Sequence, residues 1–114
     1  MKIRKKNKLI AKLNDNLRKN IFDPNINGQI VLTSGVSSLP FAFAIIEQVK
    51  NFNNFNEHND PYGEHDFGEV LINNIKFFWK IDYYENKEMQ YGSEDPSDNQ
   101  KTFRVLTIMK GDEY

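Results

Sequence analysis

Four residues that can bind a metal ion or transfer a proton stand close together near the middle of the chain: Asp60, Glu64, His65 and Asp66. Carboxylates and imidazole are the ligands that hard and borderline divalent metals prefer. A loop joined to a rigid strand is also where catalytic groups are often found. The segment therefore predicts a divalent-metal or catalytic site, but its spacing matches neither His-Glu-x-x-His nor a calcium-binding loop.

The same segment also has a structural interpretation. Asp60-Pro61 begins a turn, and Gly63 permits special backbone angles. Asp66 could cap exposed backbone N–H groups, and His65 could hydrogen-bond a buried carboxylate. The residues leave three interpretations open: a metal or catalytic site, a structural polar network, and a loop that contacts a protein partner.

The aromatic segment 79–84 supplies two further candidates, Asp82 and Tyr84. If they project from the less apolar face of a strand, they could meet His65 across a shallow groove. His65 would then act as general acid or base, with Asp82 orienting its ring. The alternative is an aromatic strand that carries one charged surface residue.

Charge is unevenly distributed along the chain. The net charge is −1, yet residues 1–20 hold eight of the fifteen basic residues and a single acid, Asp15. A cationic arm on an acidic body can bind an anionic surface, and the acidic loop 93–98 could bind a cationic one. The partner-binding candidates are therefore Lys5, Lys8, Lys12, Glu94, Asp95 and Asp98. The alternative is a solvated helix face and a solvated turn.

Several classes of protein are excluded by what the sequence lacks. It has no cysteine, hence no disulfide framework, thiolate zinc site or cysteine nucleophile, which fits a reducing cytosol. No P-loop, dinucleotide fingerprint or Gly-x-Ser-x-Gly elbow is present. No long apolar run follows Lys8, so we expect a soluble cytoplasmic protein without a membrane partner. We expect no cofactor, unless the 60–66 segment binds a divalent metal.

The candidate residues must be positioned by one domain, since 114 residues suffice for one compact domain and not for two. Leu9, Ile10, Leu13 and Leu17 recur at helical spacing and predict a basic N-terminal helix at about 5–20. The other predicted elements are a strand at 29–33, a helix starting near Ser37 or Ser38 with Pro40 in its first turn, strands at 69–72 and 75–84 joined by Asn73-Asn74, and a strand at 102–109. The predicted fold is α+β: two helices on a short, mainly antiparallel sheet of about four strands, in the order α-β-α-β-β-β.

Four segments in this order, NDPYGEHDFG, WKIDYY, GSEDPSD and TFRVLTIM, resemble a bacterial family known as a domain of unknown function. The resemblance runs from about Leu13-Asn14-Asp15 to the C-terminal Glu113-Tyr114. That family is common in alphaproteobacteria, often on plasmids and other mobile elements. The resemblance implies a mobile-element setting and no particular activity.

These observations lead to three hypotheses about function. The first is a small non-catalytic binding or regulatory protein of a mobile element that acts through protein–protein contacts, for example as an inhibitor of host or phage machinery. The second is a small metal-dependent enzyme, hydrolase-like, that uses the 60–66 loop. The third is weak, non-specific nucleic-acid binding by the basic helix. The oligomeric state stays open.

Overall fold

The computed structural model describes residues 4–20 and 23–114. Its elements are, in chain order, α1 (Lys5–Lys19), β1 (Gly28–Leu32), α2 (Ser34–Ser37), α3 (Ala42–Lys50), β2 (Phe67–Ile72), β3 (Ile75–Tyr84) and β4 (Phe103–Lys110), with short 3₁₀ turns at Asn99–Lys101 and Gly111–Glu113. None of the helices in these described parts is long and apolar enough to cross a membrane.

The four strands form one mixed sheet in the order β1-β4-β3-β2. The β2–β3 and β3–β4 pairs are antiparallel, whereas β1 runs parallel to β4. The predicted α+β class and the mainly antiparallel sheet of four strands are confirmed. The parallel placement of β1 beside the last strand is a detail that the predicted element order did not contain.

The segment between β1 and β2 differs from the single predicted helix. It forms two helices, α2 and α3, and Pro40 lies between them. A proline disfavours helical geometry in the residue before it and lacks an N–H group to donate. The helix predicted from Ser37 or Ser38 therefore starts only at Ala42, while Ser37 ends the preceding short helix.

The β2–β3 hairpin follows its sequence closely. Asn73 and Asn74 have φ angles of 52° and 63°, as a two-residue type I′ turn requires. Along β3, Phe77, Trp79 and Ile81 are buried on the face that the helices cover, and the alternate residues lie on the opposite, open face. The predicted hairpin and its period-two pattern are confirmed.

The α1 helix packs against the sheet through a face that its apolar residues only partly predict. Ile10 and Leu17 are buried as expected, but Leu9 is exposed. The polar side chains of Asn14 and Arg18 are buried instead. Because a buried polar group must be hydrogen-bonded to be tolerated, these two residues direct attention to the partners that they contact.

Candidate functional site

His65 lies in the loop that enters β2, where its backbone adopts a positive φ of 56°. Its Nδ1 atom lies 3.0 Å from Asp15 Oδ1, and its Nε2 atom lies 3.6 Å from Asp60 Oδ2. One face of the ring stacks on Phe55, with 3.9 Å between the ring centroids. The imidazole therefore stands between two carboxylates and is held by contacts on both nitrogens.

The Asp60 carboxylate organises the loop that carries His65. Its Oδ1 atom accepts hydrogen bonds from the backbone N–H groups of Glu64 and His65, at 3.0 and 3.1 Å. The side chain is only 5% exposed, so these bonds replace the hydration that the carboxylate loses on folding. The His65 ring approaches this buried carboxylate without a hydrogen bond, whereas its hydrogen bond is made to the half-buried Asp15.

A second group of polar side chains lies where α1 meets β3 and β4. Tyr83 Oη donates to Glu64 Oε1 at 2.8 Å, and Asn14 Nδ2 donates to Tyr83 Oη at 2.8 Å. Arg104 Nε completes the chain by donating to Asn14 Oδ1 at 2.9 Å. Burial raises the pKa of Tyr83 well above its ordinary range, and the neighbouring carboxylates add to this effect. Tyr83 is therefore a neutral hydrogen-bond donor at neutral pH.

Arg18 connects the His65 region to the end of α3. The side chain is buried, and Nη1 donates to the backbone oxygens of Val49 and Phe52 at 3.0 and 2.7 Å. Its Nη2 atom donates to Asp15 Oδ1 at 2.8 Å. Arg18 thus holds the carboxylate that in turn holds His65, and its charge lies near the carbonyl end of α3, where a cation is favoured.

Asp66 is the carboxyl group in this region whose protonation is most altered. Burial, and next to it the negative charge of Glu64, raises the pKa of Asp66 from 3.8 to about 6. A pKa near neutral pH is found both in catalytic carboxylic acids and in carboxyl groups with a purely structural role.

The structure brings together only some of the residues predicted for catalysis. Asp60 and His65 are in contact, but Glu64 turns to Tyr83. Asp82 and Tyr84 lie on the open face of β3, opposite to Tyr83, and Asp82 Oδ2 pairs with Lys80 Nζ at 2.8 Å. The contacts of His65 are therefore made to Asp15, Asp60 and Phe55 and not to the two β3 residues.

The structure also bears on the predicted metal ligands, Asp60, Glu64, His65 and Asp66. Within residues 4–20 and 23–114, no group of three or more His, Asp or Glu side chains is arranged to hold a metal ion. The hydrogen bonds of Asp60 and Glu64 to neighbouring protein groups explain why these oxygens do not converge on one point.

The six partner-binding candidates fall into two groups. Lys5, Lys8 and Lys12 are exposed on the side of α1 that faces away from the sheet. In the acidic loop only Glu94 is fully exposed. The other two acids have structural partners, which are Ser97 and Lys6 for Asp95, and the backbone N–H of Gln100 for Asp98.

Two clefts open on either side of His65. A cleft of about 220 Å³ is lined by Phe55, Glu57 and Asp60, and a second of about 370 Å³ is lined by Lys8, Lys12 and Lys19. Gly63 and His65 line both clefts. His65 therefore separates an acidic surface from a basic one.

Sequence reasoning missed the polar residues that hold this region together, which are the buried Asn14, Arg18 and Arg104 and the half-buried Asp15 and Tyr83. A signal for two of them is present in α1. Asn14 and Arg18 follow Ile10 at intervals of four, so they continue the apolar stripe with polar side chains. A polar residue on a helix's core-facing stripe predicts a buried hydrogen-bond partner.

Comparison with known proteins identifies the family. A family model described as "Protein of unknown function (DUF3768)" matches residues 32–113, which include the 59–66 loop, Tyr83 and Arg104. A search of the curated proteins gave no match, and neither did a search of the solved structures. The matched region begins after α1, so Asn14, Asp15 and Arg18 lie outside it. The chain belongs to the DUF3768 family, a protein family of unknown function.

Proposed function

We propose that the protein is a non-catalytic binding module that recognises an acidic surface on a partner protein through the exposed lysine side of α1. The observation that carries this proposal is the contrast between two sets of charged residues. The groups suited to catalysis are bonded to one another inside the protein, whereas the lysines of α1 point to solvent.

The internal bonding supports a non-catalytic role. A general base needs a nitrogen that can reach the substrate, but His65 Nδ1 faces Asp15 and Nε2 faces Asp60. Glu64 accepts a hydrogen bond from Tyr83, and burial raises the pKa of that tyrosine. These contacts fit a polar network that fixes α1 on the sheet and orders the loop before β2.

The lysine side of α1 has the size and charge for a protein contact. Lys5, Lys8, Lys12 and Lys19 are all exposed, and they extend over roughly 21 Å at the helical rise of about 1.5 Å per residue. Lys8, Lys12 and Lys19 also line the larger cleft beside His65. An acidic helix or loop could pair its carboxylates with this row and insert a side chain into the cleft.

The acidic loop is a weaker contact surface than the sequence suggested. Asp95 is held by Ser97, whose hydrogen bonds lower the pKa of that carboxyl, and it lies 3.8 Å from Lys6. Asp98 caps the following 3₁₀ turn. Because these carboxylates already have partners, Glu94 is the member of this group that we propose as a secondary contact.

The setting of the proposed interaction follows from the resemblance to a bacterial, mobile-element family. In that setting the partner would be a host or phage protein in the bacterial cytoplasm, and binding would inhibit or regulate it. This part of the proposal rests on the resemblance and on the absence of a recognised catalytic motif, with no contribution from the geometry of α1.

A charge-reversal experiment tests the proposed surface. The partner is first isolated with the wild-type protein and purified, and its dissociation constant is then measured for two double variants. Lys8→Glu with Lys12→Glu should weaken binding about tenfold or more, and should weaken it further at high salt. The control, Lys76→Glu with Lys87→Glu, changes the net charge equally at exposed positions outside α1 and should bind as the wild type does.

Two outcomes would reject this proposal. Equal binding by both double variants would show that α1 is not the contact surface. The second outcome concerns single-stranded DNA of mixed sequence. If the wild-type protein binds this DNA but no acidic protein, and if Lys8→Glu with Lys12→Glu abolishes the DNA binding, the nucleic-acid function is favoured.

A second candidate is a small metal-dependent hydrolase that would use a carboxylate beside His65. Its support is limited, because Asp15 and Asp60 face opposite ring nitrogens and, within residues 4–20 and 23–114, no three His, Asp or Glu side chains are arranged to hold one ion. Thermal unfolding with chelator and then with Mg²⁺, Mn²⁺ or Zn²⁺ tests it. An ion at 100 times its dissociation constant adds about 2.7 kcal/mol to the free energy of unfolding. A shift that is lost in His65→Asn would support this candidate, and no shift with any ion would reject the site.

A further inference from the structure

The β2 strand forms one edge of the sheet, and half of its backbone groups point outward. The backbone N–H of Ile81 donates to Asp66 O, which makes residues 66 and 81 a hydrogen-bonded pair. Because such pairs alternate in an antiparallel ladder, Phe67, Glu69 and Leu71 turn their N–H and C=O groups away from β3. Beyond the ladder, the hydrogen bonds among the described residues include none to the backbone of 67–72.

Large apolar side chains are exposed around this same edge. Leu71, on β2 itself, is 67% exposed. Phe43, on the α3 helix that packs against β2, is 75% exposed, and Tyr114, whose ring lies 5.8 Å from that of Phe67, is 74% exposed. Edge strands of natural proteins are usually protected by charged side chains, proline or a bulge, and β2 contains a single charged residue, Glu69, with no proline and no bulge.

We propose that the outer edge of β2 pairs with the β2 strand of a second copy of this chain, in an antiparallel, two-fold symmetric dimer that continues the sheet. A symmetric interface requires that a surface be complementary to itself. The sequence of β2 meets this requirement in the register in which Val70 lies opposite Val70 of the second copy.

Two other registers are less favourable, whereas a register centred on Leu71 also keeps like charges apart and is distinguished by the Leu71→Lys variant described below. Symmetry about Glu69 would place two carboxylates directly opposite each other, which is destabilising. Symmetry about Gly68 would place Val70 opposite Asp66. Symmetry about Val70 instead places Glu69 opposite Leu71 of the second copy, and Gly68 opposite Ile72, so that no like charges face each other across the interface.

Opposite substitutions at Leu71 test both the edge and the register. Within one chain Leu71 lies opposite Lys76, so Leu71→Glu should preserve the fold by facing a lysine. Across the interface the new carboxylate would face Glu69 of the second copy, twice by symmetry. We expect Leu71→Glu to dimerise about tenfold more weakly than the wild type, or worse. Leu71→Lys, which would face Glu69 of the second copy, should dimerise at least as well as the wild type.

The measurement is sedimentation equilibrium over a range of concentrations, with circular dichroism to confirm the fold. The wild-type chain should approach twice its mass of 13.4 kDa as its concentration rises. Val31→Glu, on the opposite edge strand β1 and partly exposed, is the matched control and should dimerise as the wild type does.

Three results would overturn the proposal. If the wild-type chain stays monomeric at every concentration, the proposed dimer does not form. A dimer that survives Leu71→Glu but is lost in Val31→Glu would place the interface at β1. A dimer that Leu71→Lys weakens as much as Leu71→Glu does would exclude the register centred on Val70.

Discussion

Arg104 Nε donates a hydrogen bond of 2.9 Å to Asn14 Oδ1, joining residues that are 90 positions apart in the sequence. Both side chains are almost completely buried. Asn14 also donates to Tyr83 Oη and to Glu64 O, so one amide side chain connects α1 to two strands and to the loop before β2. The placement of α1, and with it the lysine side proposed to bind a partner, therefore depends on Asn14.

Substitution of Asn14 should be strongly destabilising. Asn14→Ala removes the acceptor of Arg104 and the donor to Tyr83 and Glu64, leaving buried polar groups without partners. We expect the free energy of unfolding to fall by about 2–4 kcal/mol, since each unsatisfied buried group costs about 1–3 kcal/mol. Urea unfolding measures the change. Asn16→Ala, at an exposed position of the same helix, is the control, and an equal loss in both variants would contradict the role of the network.

Stability should depend on the protonation of Asp66. Its pKa is raised from 3.8 to about 6, mainly by burial, so the folded chain holds this proton more tightly than the unfolded chain does. The stabilising contribution of the protonated group is complete below about pH 4 and is lost as the pH rises through about 6.

Asp66→Asn should remove that part of the pH dependence. The variant should lose less stability than the wild type between about pH 4 and 7, and should be the more stable of the two at pH 7. Chemical unfolding at several pH values provides the comparison, with Asp112→Asn at an exposed position as the control. If the free energy of unfolding of the wild type and of Asp66→Asn changes equally with pH, the Asp66 carboxyl does not control the pH dependence of stability.

Gly68 should tolerate no side chain, because it lies directly beneath Trp79. A Cβ atom at Gly68 would lie 2.3 Å from Trp79 Nε1, well inside contact distance. Gly68→Ala should therefore cost about 1–3 kcal/mol and shift the fluorescence of the single tryptophan. Gly92→Ala is the control, because its Cβ would meet only Tyr83 O, at 3.7 Å. An unchanged spectrum and unfolding midpoint in Gly68→Ala would refute the packing.

The two roles of His65, its ring contacts and its backbone angle, can be separated by two substitutions. Asparagine tolerates positive φ better than alanine does, so His65→Asn should retain more stability than His65→Ala. Both variants lose the stacking on Phe55, which is worth about 0.5–1.5 kcal/mol. The difference between their unfolding free energies isolates the backbone effect, and a value of zero would show that the positive φ is relieved by local rearrangement.

The elements set by local pattern were predictable, and those set by distant contacts were not. Adjacent residues alone predict the Asn73-Asn74 turn and the alternation along β3, and both predictions are confirmed. The parallel position of β1 could not be predicted from adjacent residues, because five residues of a strand do not specify which neighbour they pair with. Pro40 could have predicted the division into α2 and α3, had its effect on the preceding residue been given more weight.

The candidate site shows the same division. The acidic loop with His65 was recognisable from residue types, but the partner of His65, Asp15, belongs to a helix 50 residues earlier. The apolar periodicity of α1 does not include Asn14 and Arg18, because their side chains are polar. They are buried because other elements supply the carbonyl groups and side chains to which they hydrogen-bond. The sequence of α1 alone does not specify those partners.

The parallel pairing of β1 with β4 has a consequence for synthesis of the chain. Asn27 Nδ2, just before β1, donates to Thr102 O across 75 residues, so β1 has no strand to join until β4 has been synthesised. The β2–β3 hairpin, whose partners are adjacent, can form much earlier, because local contacts close faster than distant ones. During translation β1 therefore has no strand partner until β4 has been synthesised, whereas α1 can already pack on α3 through Arg18.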